Sequence, residues 1–158
     1  MTNLQLKDQL SEDDLSLFIT ILESDNINYS GIAYDQSNLT ISIENASLDE
    51  LEKSYDNFLQ ELPKHLLRQK ISQIKNECKR RIEDKYPDWM QRSISLNMAI
   101  KVSDLTDLQK KYKDMHPDYV KHSEELINSS NKLEEKLSKL NINQLQKFDV
   151  ADDKNWSI

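Results

Sequence analysis

The stretch KHLLRQKISQIKNECKRRIEDKY, residues 64–86, decides the fold. Its apolar side chains recur at intervals of four, three, four and four residues: Leu67, Ile71, Ile74, Cys78 and Ile82. At about 100° per residue these positions fall on one narrow stripe of an α-helix. Lys and Arg side chains flank both margins of the stripe, an arrangement typical of a helix that packs on another helix. The stretch therefore predicts a long amphipathic helix.

Downstream of this helix the sequence predicts further helices. Pro87 suits the first position of a following helix, and Ser103 or Asp104 suits the N-cap of a long last helix, which Pro117 is expected to kink or split. The leucines of the last helix recur in a heptad-like rhythm that predicts coiled-coil packing and self-association. They are Leu105, Leu108, Leu126, Leu133, Leu137 and Leu140. Residues 148–158 have no period, so they are predicted to form a mobile acidic tail.

Upstream of the long helix the period of the sequence changes twice. An amphipathic helix is predicted after Ser11, and two alternating runs around the polar stretch DQSN then predict a β-hairpin. Ser47 and Glu50 form a capping-box pattern that opens the next helix, which ends or kinks at Pro63. The predicted fold is therefore mainly α with a small α+β head. The domains are an acidic head over residues 1–63, a helical or coiled-coil body over 64–147, and the tail over 148–158.

Charge is distributed unevenly along the 158 residues, whose net charge is −7. Residues 1–66 carry 13 acidic and 3 basic side chains, a net charge of −10, whereas residues 67–147 carry 12 acidic and 17 basic, a net charge of +5. This asymmetry favours homotypic or intramolecular attraction and argues against direct binding of nucleic acid by the head. A single Gly leaves little room for a phosphate-binding loop.

Residue types that carry chemistry are sparse. One cysteine, Cys78, excludes an internal disulfide and a cysteine-based metal site. His116 and His122 are six residues apart, so they do not share a helix face as two zinc ligands would. We therefore expect no catalytic residue, no metal and no cofactor, and the protein is predicted not to be an enzyme. The first residues lack a basic leader and an apolar segment, so cytosolic synthesis without membrane insertion is expected.

Six residues are candidates for binding a partner protein: Arg80, Arg81, Trp89, Gln91, Arg92 and Trp156. The Lys79–Arg81 run is expected to flank the helix seam rather than to bind phosphates. Trp89 either plugs the bend at Pro87, folded back on the preceding helix, or provides a docking surface, because Trp and Arg are enriched at binding hot spots. Trp156 is expected either to be simply exposed or to be a linear docking element.

Residues 74–93, IKNECKRRIEDKYPDWMQRS, resemble a segment of small structural proteins of tailed bacteriophages. The matching residues are Glu77, Arg80, Arg81, Ile82, Pro87, Trp89, Gln91 and Arg92; such proteins usually continue with Asn, where this chain has Ser93. The resemblance implies a virion protein that is tail- or fibre-associated, assembles in many copies in the bacterial cytoplasm, and contacts other tail proteins. The alternative is a small acidic protein that binds and inhibits a host factor.

Overall fold

The computed structural model describes residues 2–6, 12–35, 38–43 and 45–156. It confirms a mainly α-helical chain with an antiparallel β-hairpin near the N-terminus. The elements are β1 Thr2–Leu6, α1 Glu12–Ser24, β2 Tyr29–Asp35, β3 Asn38–Ile43, α2 Leu48–Lys85, α3 Asp88–Met98, α4 Asp107–Asp114, α5 His116–Leu137 and α6 Ile142–Lys147, with short 3-10 turns at Val102–Asp104 and Asp153–Asn155. The chain divides into unit 1, residues 1–66, and unit 2, residues 67–158.

Unit 1 contains the sheet, whose strand order is β1-β3-β2 with antiparallel neighbours. The hairpin of β2 and β3 was predicted, whereas β1 was not. A bulge lies near the start of β2, where Tyr29 pairs with Ile43 but Gly31 pairs with Ser42, so that Ser30 is the extra residue. Such a bulge increases the local twist of the strand.

An apolar core joins α1, the sheet and the first part of α2 within unit 1. The buried apolar side chains among the described residues of this unit are Phe18, Leu22, Ile27, Ile41, Leu51, Phe58, Leu62 and Leu66. The Phe18 ring lies 5.2 Å from Phe58 and 5.7 Å from Tyr55, in tilted and edge-on contacts. Asn26 follows α1 with a φ of 57°, a left-handed conformation that Asn tolerates and that ends the helix.

The 38-residue helix α2 contributes to both units. Its capping box is confirmed, because the Ser47 amide donates to Glu50 Oε2 at 2.8 Å and the Glu50 amide donates to Ser47 Oγ at 3.3 Å. The Ser47 amide and the Ser47 hydroxyl both donate to Glu50 Oε2 and thereby lower the pKa of Glu50. Pro63 lies inside the helix and does not end it. In unit 2, Ile74 and Cys78 of the predicted apolar stripe are buried.

Most of the heptad leucines are buried within unit 2. The helix predicted after Ser103 is split at Pro117, which lies in the first turn of α5, and its first part, α4, is capped by Thr106 instead. Leu126, Leu133 and Leu137 are buried within the unit. The self-association of the heptad leucines stays a prediction, and these three leucines are buried together with the other buried apolar side chains of the unit. These are Ile74, Cys78, Tyr86, Ile94, Leu105, Leu145, Val150 and Trp156.

Candidate protein–protein interaction surface

The corner between α2 and α3 is set by Pro87. The Tyr86 amide donates the last hydrogen bond of α2, to Ile82 O at 2.8 Å. Pro87 has no amide hydrogen to continue that ladder, and it takes an extended ψ of 151° as the N-cap of α3. The chain therefore turns between Lys85 and Asp88, as the sequence predicted.

A helical hairpin of α3 and α4 follows the corner. Its inner side is formed by Ile94, Asn97 and Leu105, which are buried. The Lys113 ammonium donates to Ile100 O at 2.7 Å and thereby caps carbonyls beyond the end of α3. Thr106 starts α4 with a complete capping box. The hairpin is thus fixed by its own caps and by a buried inner face.

The outer side of this hairpin exposes large apolar side chains. Trp89 is 57% exposed, Leu96 is 70% exposed and Leu108 is 60% exposed. Trp89 and Leu96 are seven residues apart and so share one face of α3. The Trp89 ring meets Tyr112 edge-on with a centroid distance of 6.4 Å, and Leu108 lies one turn before Tyr112 on α4. We refer to Trp89, Leu96, Leu108 and Tyr112 as the hairpin face.

The exposure of Trp89 corrects one expectation from the sequence. Trp89 does not fold back on Cys78, Ile82 or Tyr86, since its ring contacts Tyr112 and more than half of the side chain is exposed. The bend is filled by other groups. Tyr86 is buried and packs against the rings of Tyr119 and His122 at 5.2 and 5.8 Å.

Gln91 and Arg92 are adjacent in sequence but have different surroundings. The Gln91 amide donates to Tyr86 O at 2.7 Å, and its Oε1 accepts from the Tyr119 hydroxyl at 3.1 Å. Gln91 therefore ties α3 to the end of α2 and to α5. Arg92 is exposed and pairs with Asp88 one turn earlier at 2.6 Å, so its guanidinium is at the surface of the hairpin.

Arg80 and Arg81 of α2 also differ. Arg80 is exposed and pairs with Glu77 and Asp84 on the same helix. The Arg80 hydrogen bonds lower the pKa of Glu77, and the same contact raises the pKa of Arg80. Arg81 is only 14% exposed and donates to Glu77 Oε1, to Ala151 O and to Asp153 Oδ1. Arg81 is thus occupied by contacts within the chain.

Trp156 is buried, which contradicts its expected exposure near the end of the chain. The side chain is 5% exposed, its indole N–H donates to Val150 O at 2.8 Å, and the Arg81 guanidinium lies 4.8 Å from its ring centroid. Burial is favourable because the apolar rings leave water while the single polar group is paired. Residues 148–156 therefore form an ordered loop.

The structure divides the six candidates between two places. Trp89 and Arg92 are exposed on the hairpin, and Gln91 lies beneath them. Arg80 and Arg81 lie on α2, and the ring of Trp156 packs against the Arg81 guanidinium. Sequence reasoning missed Leu96 as an exposed residue; its seven-residue spacing from Trp89 was a signal, but periodicity alone does not tell a buried face from an exposed one.

No arrangement of three or more His, Cys, Asp or Glu side chains suited to a metal ion occurs among the residues that the structure describes. Cys78 is buried, and that burial raises the pKa of its thiol, which disfavours the nucleophilic thiolate. In the described part of the chain, no helix has the length and apolar character required to cross a membrane.

Comparisons of the chain with protein-family models, with curated proteins and with solved structures find no match.

Proposed function

We propose that this protein is a structural or assembly component of a bacteriophage virion, a tail- or fibre-associated adaptor that oligomerises and acts by protein–protein contacts without enzymatic activity. One observation carries the proposal. Trp89, which belongs to the segment that resembles phage structural proteins, is 57% exposed on the hairpin face. The resemblance supplies the class of protein, and the exposed side chains supply a surface through which such a protein would act.

The hairpin face has the composition of a binding surface. Trp and Tyr are enriched at interface hot spots, and contiguous exposed apolar residues mark interaction sites more often than scattered ones do. Asp88, which immediately precedes Trp89, forms an exposed ion pair with Arg92, and charged groups of this kind are common at the polar rim of an interface. The proposed partners are other tail proteins and further copies of this chain.

A second candidate function is a small acidic binder or inhibitor of a host factor. It is favoured by the net charge of −10 over residues 1–66. Exposed carboxylates of unit 1 include Glu12, Asp13, Asp49, Glu52 and Asp56. A negatively charged surface would attract a basic protein and increase the rate at which the two proteins associate.

Two measurements on the full chain test the first proposal. Antibodies against the protein should label purified tailed particles released from the source cells, at or near the tail. Sedimentation velocity over a micromolar concentration range should show self-association of the wild type, because a multi-copy adaptor is expected to oligomerise. Leu96→Ser should weaken that association, since it removes an exposed apolar side chain from the hairpin face.

Leu59→Ser is the matched control, because Leu59 is also an exposed leucine of a helix but lies in unit 1. It should leave association unchanged. A protein that is absent from particles and monomeric at every concentration would contradict the proposal. Tight, salt-sensitive binding of that monomer to one basic host protein would instead support the inhibitor.

A further inference from the structure

The loop formed by residues 148–156 is folded largely by its own hydrogen bonds. The Trp156 indole donates to Val150 O at 2.8 Å, and the Asn155 side chain donates to Asp149 O at 2.8 Å. The Ala151 amide donates to Asp149 Oδ1 at 2.9 Å. The loop therefore keeps many of its polar groups paired independently of the helices beneath it.

The loop is attached to the helices through side chains. Lys70 donates to Phe148 O at 2.7 Å, and Arg81 donates to Ala151 O at 3.1 Å and to Asp153 Oδ1 at 2.6 Å. From α5, Lys136 donates to Asn155 Oδ1 at 3.3 Å, and its ammonium lies 5.2 Å from the Phe148 ring. Within the described residues, the backbone–backbone hydrogen bonds of the loop are local in sequence and do not join it to α2 or α5.

The charges and the packing of the loop both indicate that it can detach from the helices. Residues 148–156 carry three Asp and one Lys and are held by two lysines and one arginine. Asp153, which forms an ion pair with Arg81, is 89% exposed. Solvent and salt therefore screen that ion pair. An open surface groove of about 380 Å³ lies between part of the loop and α2 and is lined on the helix side by Lys70, Gln73 and Arg80, among others.

We propose that the 148–156 loop is a releasable strap that Arg81 locks onto α2. In the locked state the Arg81 guanidinium binds the loop carbonyl and carboxylate and stacks on the Trp156 ring. In the released state the loop leaves α2 and exposes Trp156 and Val150, while the helices of unit 2 remain folded. This inference goes beyond the proposed function and does not depend on it.

Local opening of this kind has a physical basis. Segments that lack backbone hydrogen bonds to the rest of the fold and border incomplete packing open at a lower free energy than the core. Released, the loop presents an indole among acidic side chains, a combination that suits a partner with a basic, apolar groove. The strap would thus convert a buried tryptophan into a binding element.

The test uses the full chain carrying Trp89→Phe, so that Trp156 is the one remaining tryptophan of the sequence. In this background we compare Arg81→Gln with Arg80→Gln. The neighbouring Arg80 also pairs with Glu77 and lines the groove, and it interacts with Asp153 of the loop through charge but not through a hydrogen bond. Acrylamide quenching and the emission maximum report on Trp156, and far-UV circular dichroism reports on the helices.

We expect Arg81→Gln to shift the emission to the red and to increase the quenching constant several-fold with the helix signal retained. Arg80→Gln should change the emission and the quenching constant much less, because the hydrogen bonds of Arg80 go to Glu77 and Asp84 rather than to the loop. Sodium chloride should increase quenching progressively in the Trp89→Phe protein itself. Asp153→Asn should lower the salt concentration at which this increase occurs. Trp156 that stays protected in Arg81→Gln and at high salt would overturn the proposal. Exposure of Trp156 only together with loss of the helix signal would overturn it too, because the loop would then be part of the cooperative core.

Discussion

The two tryptophans of unit 2 have opposite surroundings, although both lie near charged side chains. Trp156 is 5% exposed, with its indole N–H paired and a guanidinium over its ring. Trp89 is 57% exposed, and its ring contacts the Tyr112 ring edge-on. Trp156 comes from an aperiodic loop, whereas Trp89 lies in the first turn of a regular helix.

The difference shows that a tryptophan is buried where both its ring and its polar group find partners. Around Trp156 the loop turns back on itself, so that the Val150 carbonyl meets the indole N–H. Around Trp89 the geometry of α3 determines which side chains face inward. The inward positions of α3 are occupied by Gln91 and Ile94, and the indole is directed outward. Its exposure then leaves a surface available for contact with another protein.

The largest expected effect is on Trp156. Replacing a fully packed aromatic residue by Ala typically costs about 3–5 kcal/mol, and Trp156→Ala also leaves the Val150 carbonyl without its donor. Because the loop can leave α2 while the helices remain folded, the loss is limited to the free energy that the docked loop contributes, so we expect urea unfolding, followed by circular dichroism, to show a loss for unit 2 at or below the lower end of this range. Trp156→Phe keeps most of the apolar contact and should cost less. A Trp156→Ala protein as stable as the wild type would show that the loop contributes little to the fold.

The sequence predicted those parts of the fold that depend on neighbours along the chain. The capping box of Ser47 and Glu50, the turn at Pro87 and the split at Pro117 each follow from a local rule. Strand β1 was missed because five alternating residues, TNLQL, are a weak signal until β3 provides a partner.

The surroundings of both tryptophans could not be predicted in the same way. The burial of Trp156 depends on Arg81, 75 residues earlier in the chain, and no local period encodes that contact. The candidate site was predicted in part: the corner segment supplied Trp89 and Arg92, whereas Leu96 and Leu108 emerged as surface residues only from the packing of α3 on α4.

A smaller effect is expected for the polar contact beneath Trp89. Tyr119→Phe removes the hydroxyl that donates to Gln91 Oε1 and leaves that acceptor unpaired in a partly buried place. A cost of about 1 kcal/mol is expected in chemical denaturation. Tyr112→Phe is the control, since the Tyr112 hydroxyl forms no hydrogen bond with any residue in the described part of the chain. Equal losses for the two variants would mean that Gln91 does not fix α3 to α5.

The smallest effect on stability is expected for Trp89→Ala. More than half of this side chain is already in water, so truncation removes little buried area, and the edge-on contact with Tyr112 is worth about 0.5–1.5 kcal/mol at most. Substitutions at exposed positions usually change stability by about 0.5 kcal/mol or less, so we expect a loss below about 1 kcal/mol in the denaturation experiment used for Trp156→Ala. The same variant should nevertheless weaken self-association, because hot-spot residues of an interface contribute to binding without stabilising the free subunit. A large stability loss would show that Trp89 supports the fold. Unchanged stability together with unchanged association would remove Trp89 from the binding surface and leave the hairpin face to Leu96 and Leu108.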